Sequence, residues 1–342
     1  MVDGAALSAA KTIIATGSSA HAPAIAGLDT VDWLTSTTAL ELQALPESLL
    51  VIGGGYIGCE LAQMFSRMGV MVAIVCRSRL LPEGEPEISA ALAEYFSAEG
   101  IAVHTGLTYD TIQKMDGGVA LNVTRNGARE TIRAAQVLAT TGRRPNTGDT
   151  GLEVAGIELG ANCGIVVDDR LATTKDGVYA VGDVTGRDMF VYMAAYGARL
   201  AAHNALNGDS LRYDATAMPA VVFTDPQVAS VGLTQAAAIE AGHETRVSVL
   251  ALEHVPRALA ARDTRGLIKL VADGPTGRLL GAHIMAPEGA DSIQTAALAI
   301  RQSLTYQDLA DMIFPYLTTV EGLNLAAQTF DKNVATLSCC AG

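Results

Sequence analysis

The sequence predicts an α/β chain, with a doubly wound parallel nucleotide-binding unit followed by a mixed α+β domain. Three observations predict it. A fully apolar run, Ser48-Leu-Leu-Val-Ile-Gly53, leads straight into a glycine-rich turn and a helical pattern. Strand-like and helix-like segments then alternate, as a right-handed parallel unit requires. From about residue 216 the texture changes to longer strands separated by helices.

Each element has its own signal. Lys11–Gly17 reads as a short buried strand ending at a glycine. Residues 18–48 read as loop, punctuated by Pro23, Gly27 and Pro46. After the apolar strand, Leu61, Met64, Phe65 and Met68 form one helical stripe that Gly69 stops. Val70–Cys76 is a second apolar strand, and a helix is expected at about 85–100. Strands follow near 119–124, 136–140 and 177–181, then a helix over 191–206. The later domain carries strands near 220–223, 245–252, 266–272 and 279–285.

Composition bounds what such a chain does. Its 342 residues suffice for two to three domains of about 100–200 residues. With 49% hydrophobic and 17% charged residues, a large core is expected and disorder is not. The net charge of −13 opposes nucleic acid and anionic membrane as partners. No apolar run approaches the roughly 18–20 residues that cross a bilayer. The N-terminus lacks the basic segment of a signal peptide, and the five cysteines, three of them scattered, form no secreted disulfide framework, so a cytoplasmic protein is expected. No zinc-ligand spacing is present.

Gly53-Gly-Gly55-Tyr-Ile-Gly58 matches G-x-G-x-x-G in the strand–turn–helix setting its mechanism needs. Gly53 permits the tight turn, Gly55 lets backbone approach a pyrophosphate, and Gly58 lets helix and strand pack closely. A Rossmann-type NAD(P)H domain is therefore expected. The end of the next strand is Cys76-Arg77-Ser78-Arg79 and lacks the carboxylate that usually binds the ribose hydroxyls of NADH. Arg77 and Arg79 can grip a 2′-phosphate, which favours NADPH. The other reading leaves them as solvated loop charges, or pairs them with Glu83 and Glu85.

Ala15-Thr16-Gly17, Thr141-Gly142-Arg143-Arg144-Pro145-Asn146 and Tyr179-Ala180-Val181-Gly182-Asp183 occur in the order found in the flavin domain of two-dinucleotide disulfide reductases. Taken alone, Asp183 reads as a helix cap or turn residue. The three motifs together resemble the class I pyridine nucleotide-disulfide oxidoreductase family. The resemblance implies FAD binding, with Gly142, Arg143, Gly182 and Asp183 at the flavin and Asp183 accepting a bond from its ribityl chain. It implies a homodimer through residues 216–342, a partial FAD domain in 1–45 and 138–215, and an NADPH domain in 46–137.

Two departures narrow the resemblance. Disulfide reductases of the family carry His-Pro-Thr-x-x-Glu. Aligning Glu321 with that Glu puts Tyr316 where the His belongs. Thiol–disulfide exchange needs an imidazole to move a proton at neutral pH, whereas reduction of a bound soft cation does not. The chain ends Leu337-Ser338-Cys339-Cys340-Ala341-Gly342, and adjacent thiolates suit a soft metal. With Phe314-Pro315-Tyr316 and Thr224-Asp225-Pro226-Gln227, this tail resembles the mercuric reductases. That implies electron transfer from NADPH through FAD to thiol-bound Hg(II), with Tyr316, Glu321, Cys339 and Cys340 at the metal. Taken alone, the two cysteines equally fit an incidental pair or a vicinal disulfide.

The sequence holds only one glycine fingerprint and no Cys-x4-Cys redox pair. It reads as the C-terminal portion of such an enzyme, and the isolated chain is expected to be inactive or impaired. The alternatives are a truncated dihydrolipoamide- or glutathione-type reductase, and a non-catalytic dimer that binds nucleotide and metal.

Overall fold

A computed structural model describes residues 8–334. The chain divides into two compact units. One gathers the chain up to His21 with Gly142–Ala215, and the other gathers Ala22–Thr141 with the chain from Thr216 onward.

In the larger unit the nucleotide-type portion is built on five parallel strands. Their order is Trp33–Leu34, Gln136–Ala139, Ser48–Ile52, Met71–Val75 and Ala102–His104. The apolar run explains itself here. Leu49 and Val51 face a layer containing Cys59, Ala62, Phe65, Leu92 and Phe96, while Leu50 and Ile52 face Ile25, Leu28, Val31, Ile112 and Leu121. A strand covered on both faces has no side to leave polar. Helix Tyr56–Arg67 ends at Gly69, whose φ of 90° suits the left-handed residue that closes a helix. Helix Pro86–Ala98 follows the second strand.

Two expectations need correction, and strands are added around two others. Residues 18–48 are not loop. They hold strand Ser18–Ala20, a 3-10 turn Leu28–Thr30, strand Trp33–Leu34 and helix Ser36–Leu40, whose start is fixed by a Thr35/Thr38 capping box. The strand expected near 119–124 is present as Gly118–Arg125, and it forms the middle of an antiparallel sheet with two further strands, Thr108–Met115 and Ala128–Ala134. The first strand is Thr12–Ile14 and is not buried, with Ile13 40% exposed. Among the described residues it pairs only with Val178–Ala180. Strand Gln227–Gly232, absent from the sequence reading, pairs with both Ala220–Val222 and Leu279–Ala286.

The division between units also differs from boundaries at 45/46 and 137/138. Ile25, Leu28 and Val31 belong to the nucleotide-side core, Ala26 bridges Thr111, and Gln136–Ala139 is an inner strand of the parallel sheet.

From Thr216 the same unit continues as a five-stranded antiparallel sheet, ordered Ala220–Val222, Gln227–Gly232, Leu279–Ala286, Leu267–Asp273 and Thr245–Ala251. Helices Gly289–Arg301, Tyr306–Asp311 and Glu321–Gln328 pack into its core through residues such as Ile293, Leu309 and Leu323. The smaller unit has a parallel pair, an antiparallel pair of Arg143–Pro145 with Ser18–Ala20, and helix Val191–Asn207. No helix among the described residues is long and apolar enough to cross a membrane.

Candidate functional site

The glycine turn is closed from above and open in front. A Cβ on Gly53 would lie 2.6 Å from the Thr140 carbonyl oxygen, and one on Gly58 would lie 2.1 Å from that of Gly53. Gly53 has φ of 119°, a backbone shape side chains rarely allow, and its amide donates to Val75 O at 2.9 Å. Thr140 Oγ1 donates to the carbonyls of Ile52 and Gly53, each at 3.1 Å. A Cβ on Gly55 would meet nothing within 4 Å. Gly55 caps helix Tyr56–Arg67 without any side-chain acceptor for the first amides. Unsatisfied amides at the positive end of a helix dipole form an anion cradle. The cradle fits a pyrophosphate, with Gly55 leaving the room for it.

The second strand delivers Arg77 and Arg79 beside that turn. Arg77 is exposed. Arg79 is half-buried, and its Nη2 donates to the carbonyls of Pro82 and Gly84, each at 2.8 Å. The carbonyls orient the guanidinium and leave its charge unneutralised. Leu81 N donates to Gly54 O at 2.7 Å, which fastens the arginine loop to the glycine turn. Glu85 is turned away from both arginines and takes Lys269 instead, Oε2 to Nζ at 2.9 Å.

In the smaller unit Gly142, Arg143, Gly182 and Asp183 come together. Asp183 Oδ2 accepts from Ser18 Oγ at 2.6 Å and lies 3.8 Å from Arg143 Nε. Arg143 also donates to Ser18, to Oγ and to the carbonyl, each at 2.7 Å. Gly182 has φ of 69°, and Gly142, at 124°, has open space where a side chain would stand. A carboxylate held by a hydroxyl and a guanidinium, between two glycines, fits one hydroxyl-rich stretch of a flavin nucleotide. Ser18 went unnoticed in the sequence; its position directly after Ala15-Thr16-Gly17 was the available signal.

Glu321 begins helix Glu321–Gln328 and is only 6% exposed, while Tyr316, on the loop before it, is 58% exposed. Glu321 Oε2 accepts from Leu317 N at 3.2 Å, and Glu321 N donates to Thr318 Oγ1 at 3.3 Å. Glu321 thus shapes the loop that presents Tyr316. Burial pushes its carboxyl above the ordinary value, against the pull of the Leu317 and Thr318 amides. Beside it lies a groove of about 500 Å³, lined in part by Met312, Ile313, Phe314 and Asn324.

Cys339 and Cys340 lie outside the described residues. Two of the other thiols are poor metal ligands. Burial pushes the Cys59 thiol well up and that of Cys76 up to about 11. Cys163 is half-buried, with Arg144 Nη2 at 3.5 Å from its sulfur. No group of three or more metal-ligating side chains occurs among the described residues.

Residues 1–202 match the family described as pyridine nucleotide-disulphide oxidoreductase, and residues 218–327 match its dimerisation domain. The chain belongs to that family. This places it among oxidoreductases that use a flavin and a pyridine nucleotide. It is 50% identical over 340 residues to a mercuric reductase of Streptomyces lividans, covering 99% of this chain and 71% of that protein. It is 48% identical over 343 residues to one from Bacillus cereus, covering all of this chain and 54% of the relative. Among solved structures, the Cu(II) complex of the HOCl-induced flavoprotein disulfide reductase RclA from Escherichia coli superposes with a TM-score of 0.84 at 31% identity. That match covers 94% of this chain and 72% of the other. LpdA from Mycobacterium tuberculosis gives 0.83 at 28% identity, over 94% and 70%. The chain therefore spans from about half to about seven-tenths of these relatives' lengths.

Proposed function

We propose that this chain is the NADPH-binding, flavin-contacting and dimer-forming portion of a mercury(II) reductase. NADPH gives up a hydride, Hg(II) takes the two electrons to become Hg(0), and the products are NADP⁺ and one proton. FAD, when bound, relays the electron pair between donor and metal. The chain's own groups then have defined tasks. Gly53, Gly55 and Gly58 hold the pyrophosphate, and Arg77 and Arg79 grip the 2′-phosphate. Ser18, Arg143 and Asp183 hold a flavin ribityl hydroxyl. Cys339 and Cys340 collect Hg(II) as a bis-thiolate and pass it to the site that Tyr316 lines and Glu321 shapes.

The observation that carries this reading is the Tyr316–Glu321 segment. A phenol stands where a thiol–disulfide enzyme needs an imidazole, and it projects from a loop that Glu321 fixes. Identities of 44–50% to mercuric reductases over nearly the whole chain support it. The rival reading is a nucleotide- and metal-binding dimer without turnover.

Titration calorimetry tests the nucleotide assignment. NADPH should bind more tightly than NADH, and R77A/R79A should remove most of that preference. Charge-assisted bonds to a phosphate are worth about 1.5–3 kcal/mol each, so the loss should be at least roughly tenfold. Equal affinities in the unmodified chain would sink the NADPH assignment. Visible flavin absorbance in the purified protein separates the two readings, because the second requires none.

A further inference from the structure

Lys269 lies in strand Leu267–Asp273 of the antiparallel sheet, far along the chain from the glycine turn, and is 1% exposed. A buried ammonium is retained only if its donors are satisfied. Its three acceptors are Glu85 Oε2 at 2.9 Å, Glu87 Oε1 at 2.8 Å and Gln235 Oε1 at 3.1 Å. Glu85 is itself 2% exposed and accepts from Gln235 N at 2.6 Å through its other oxygen. His283 comes no nearer to Glu85 than 3.7 Å, and burial lowers its pKa, so Lys269 is the cation that balances Glu85.

Glu85 is also where the arginine loop ends. It caps helix Pro86–Ala98 and directly follows Gly84, whose carbonyl orients Arg79. The rest of the loop is tied at Gly54 through Leu81 and at Ser89, which donates to Leu80 O at 2.6 Å. A further tie runs from Gly106 N to Ser78 O at 3.0 Å, so the loop has four anchors. Only the one at Glu85 is ionic, and it is held from outside the nucleotide-type portion.

We infer that Lys269 is a specificity-determining positioning residue, which acts through Glu85 and Gly84 to hold Arg79 for the 2′-phosphate of NADPH. The inference rests on the NADPH reading above. Two physical effects point the same way. Releasing Glu85 lets the Gly84 carbonyl move, and Arg79 loses a fixed orientation, which a bidentate grip requires. Removing the ammonium also leaves Glu85 and Glu87 unbalanced near an incoming phosphate. NADH has only a hydroxyl at that position, and repulsion of the pyrophosphate is common to both nucleotides, so the change falls on their affinity ratio.

The test is calorimetric titration of the full 342-residue chain and its K269M and E85A variants with NADPH and with NADH, with folding checked by thermal melting. The unmodified chain should prefer NADPH. K269M should lose about tenfold of that preference, equivalent to about 1.4 kcal/mol, with NADH affinity within about twofold. A merely structural lysine would lower both affinities together or leave their ratio untouched, and either result overturns the inference. If K269M does not fold, E85A decides. It severs the same tie while Lys269 keeps Glu87 and Gln235, and an unchanged ratio in folded E85A overturns the inference. Equal affinities in the unmodified chain defeat the NADPH reading and the inference with it. A preference that survives both substitutions defeats the inference alone.

Discussion

Cys339 and Cys340 make the most demanding case among individual residues, because their role depends on chemistry more than packing. Soft thiolates favour Hg(II), and two adjacent ones can supply both bonds of a linear complex. Cys59 and Cys76 cannot compete, being buried and held as thiols, which leaves half-buried Cys163 as the rival. Mercury should bind near one ion per chain in competition with a small dithiol. C339A/C340A should abolish the tightest binding, and each single change should weaken it substantially, since one thiolate cannot close the site. Retention of full affinity by the double variant would make the tail incidental. Legibility at this scale followed side-chain chemistry. The glycines were readable because each answers a steric demand, as the approach of 2.1 Å between a Gly58 Cβ and Gly53 O shows. Lys269 was not readable. An isolated lysine in a strand carries no sign that it will be buried against Glu85, 184 positions away.

Elements were legible where one pattern governed them and illegible where two competed. Asn126-Gly127, with φ of 50° and 82°, is the type I′ signal that joins Gly118–Arg125 to Ala128–Ala134. The signal stood in the sequence, and Gly118–Arg125 is legible from Val119-Ala120-Leu121, but Ala128–Ala134 carries Arg129, Glu130 and Arg133 and lacks an apolar run. Strand Gln227–Gly232 was hidden by a glycine and by small residues, which a sheet interior accepts once its neighbours supply the bulk. The loop and helix around Glu321 yield a prediction of their own. Burial raises the carboxyl's pKa above an unfolded value of about 4.3, so this group's contribution to stability is greatest below that pH. The contribution is lost as pH rises through the folded value, and at neutral pH the ionised form costs stability. E321Q keeps an acceptor for Leu317 N and removes the charge. Its melting temperature should exceed that of the unmodified chain at pH 7–8, and the gap should close near pH 4. A lower melting temperature at neutral pH would mean that the carboxylate charge is needed to hold the loop.

For the molecule as a whole, the family match over 218–327 is to a dimerisation domain, and the surface there has the corresponding character. Ile313 is 96% exposed and Met312 43%, beside the groove at Glu321. Adjacent exposed apolar side chains mark an association surface. A two-fold contact would place each protomer's Tyr316 loop against its partner. Sedimentation at micromolar concentration should show a dimer, and I313D should shift it to monomer without changing the melting profile of the nucleotide-side core. A dimer that survives I313D would place the contact elsewhere. The fold class was legible because apolar periodicity reports layers directly. The division into units was not, since it depends on which distant segments share a core.

The segment Ala22–Leu34 has a bearing on how such proteins are cut and joined. Ile25, Leu28 and Val31 are buried against Ile112 and Leu121, and Trp33–Leu34 forms the outermost strand beside Gln136–Ala139. Burying three such aliphatic side chains contributes roughly 5–8 kcal/mol, comparable to the whole net stability of a domain at about 5–15 kcal/mol. A genetic crossover placed just ahead of the glycine fingerprint, where motif boundaries invite it, would exchange that lining for another lineage's version. Recombinants joined near residue 21 keep the lining with its own core and should outnumber those joined near residue 46 among folded survivors of a shuffled library.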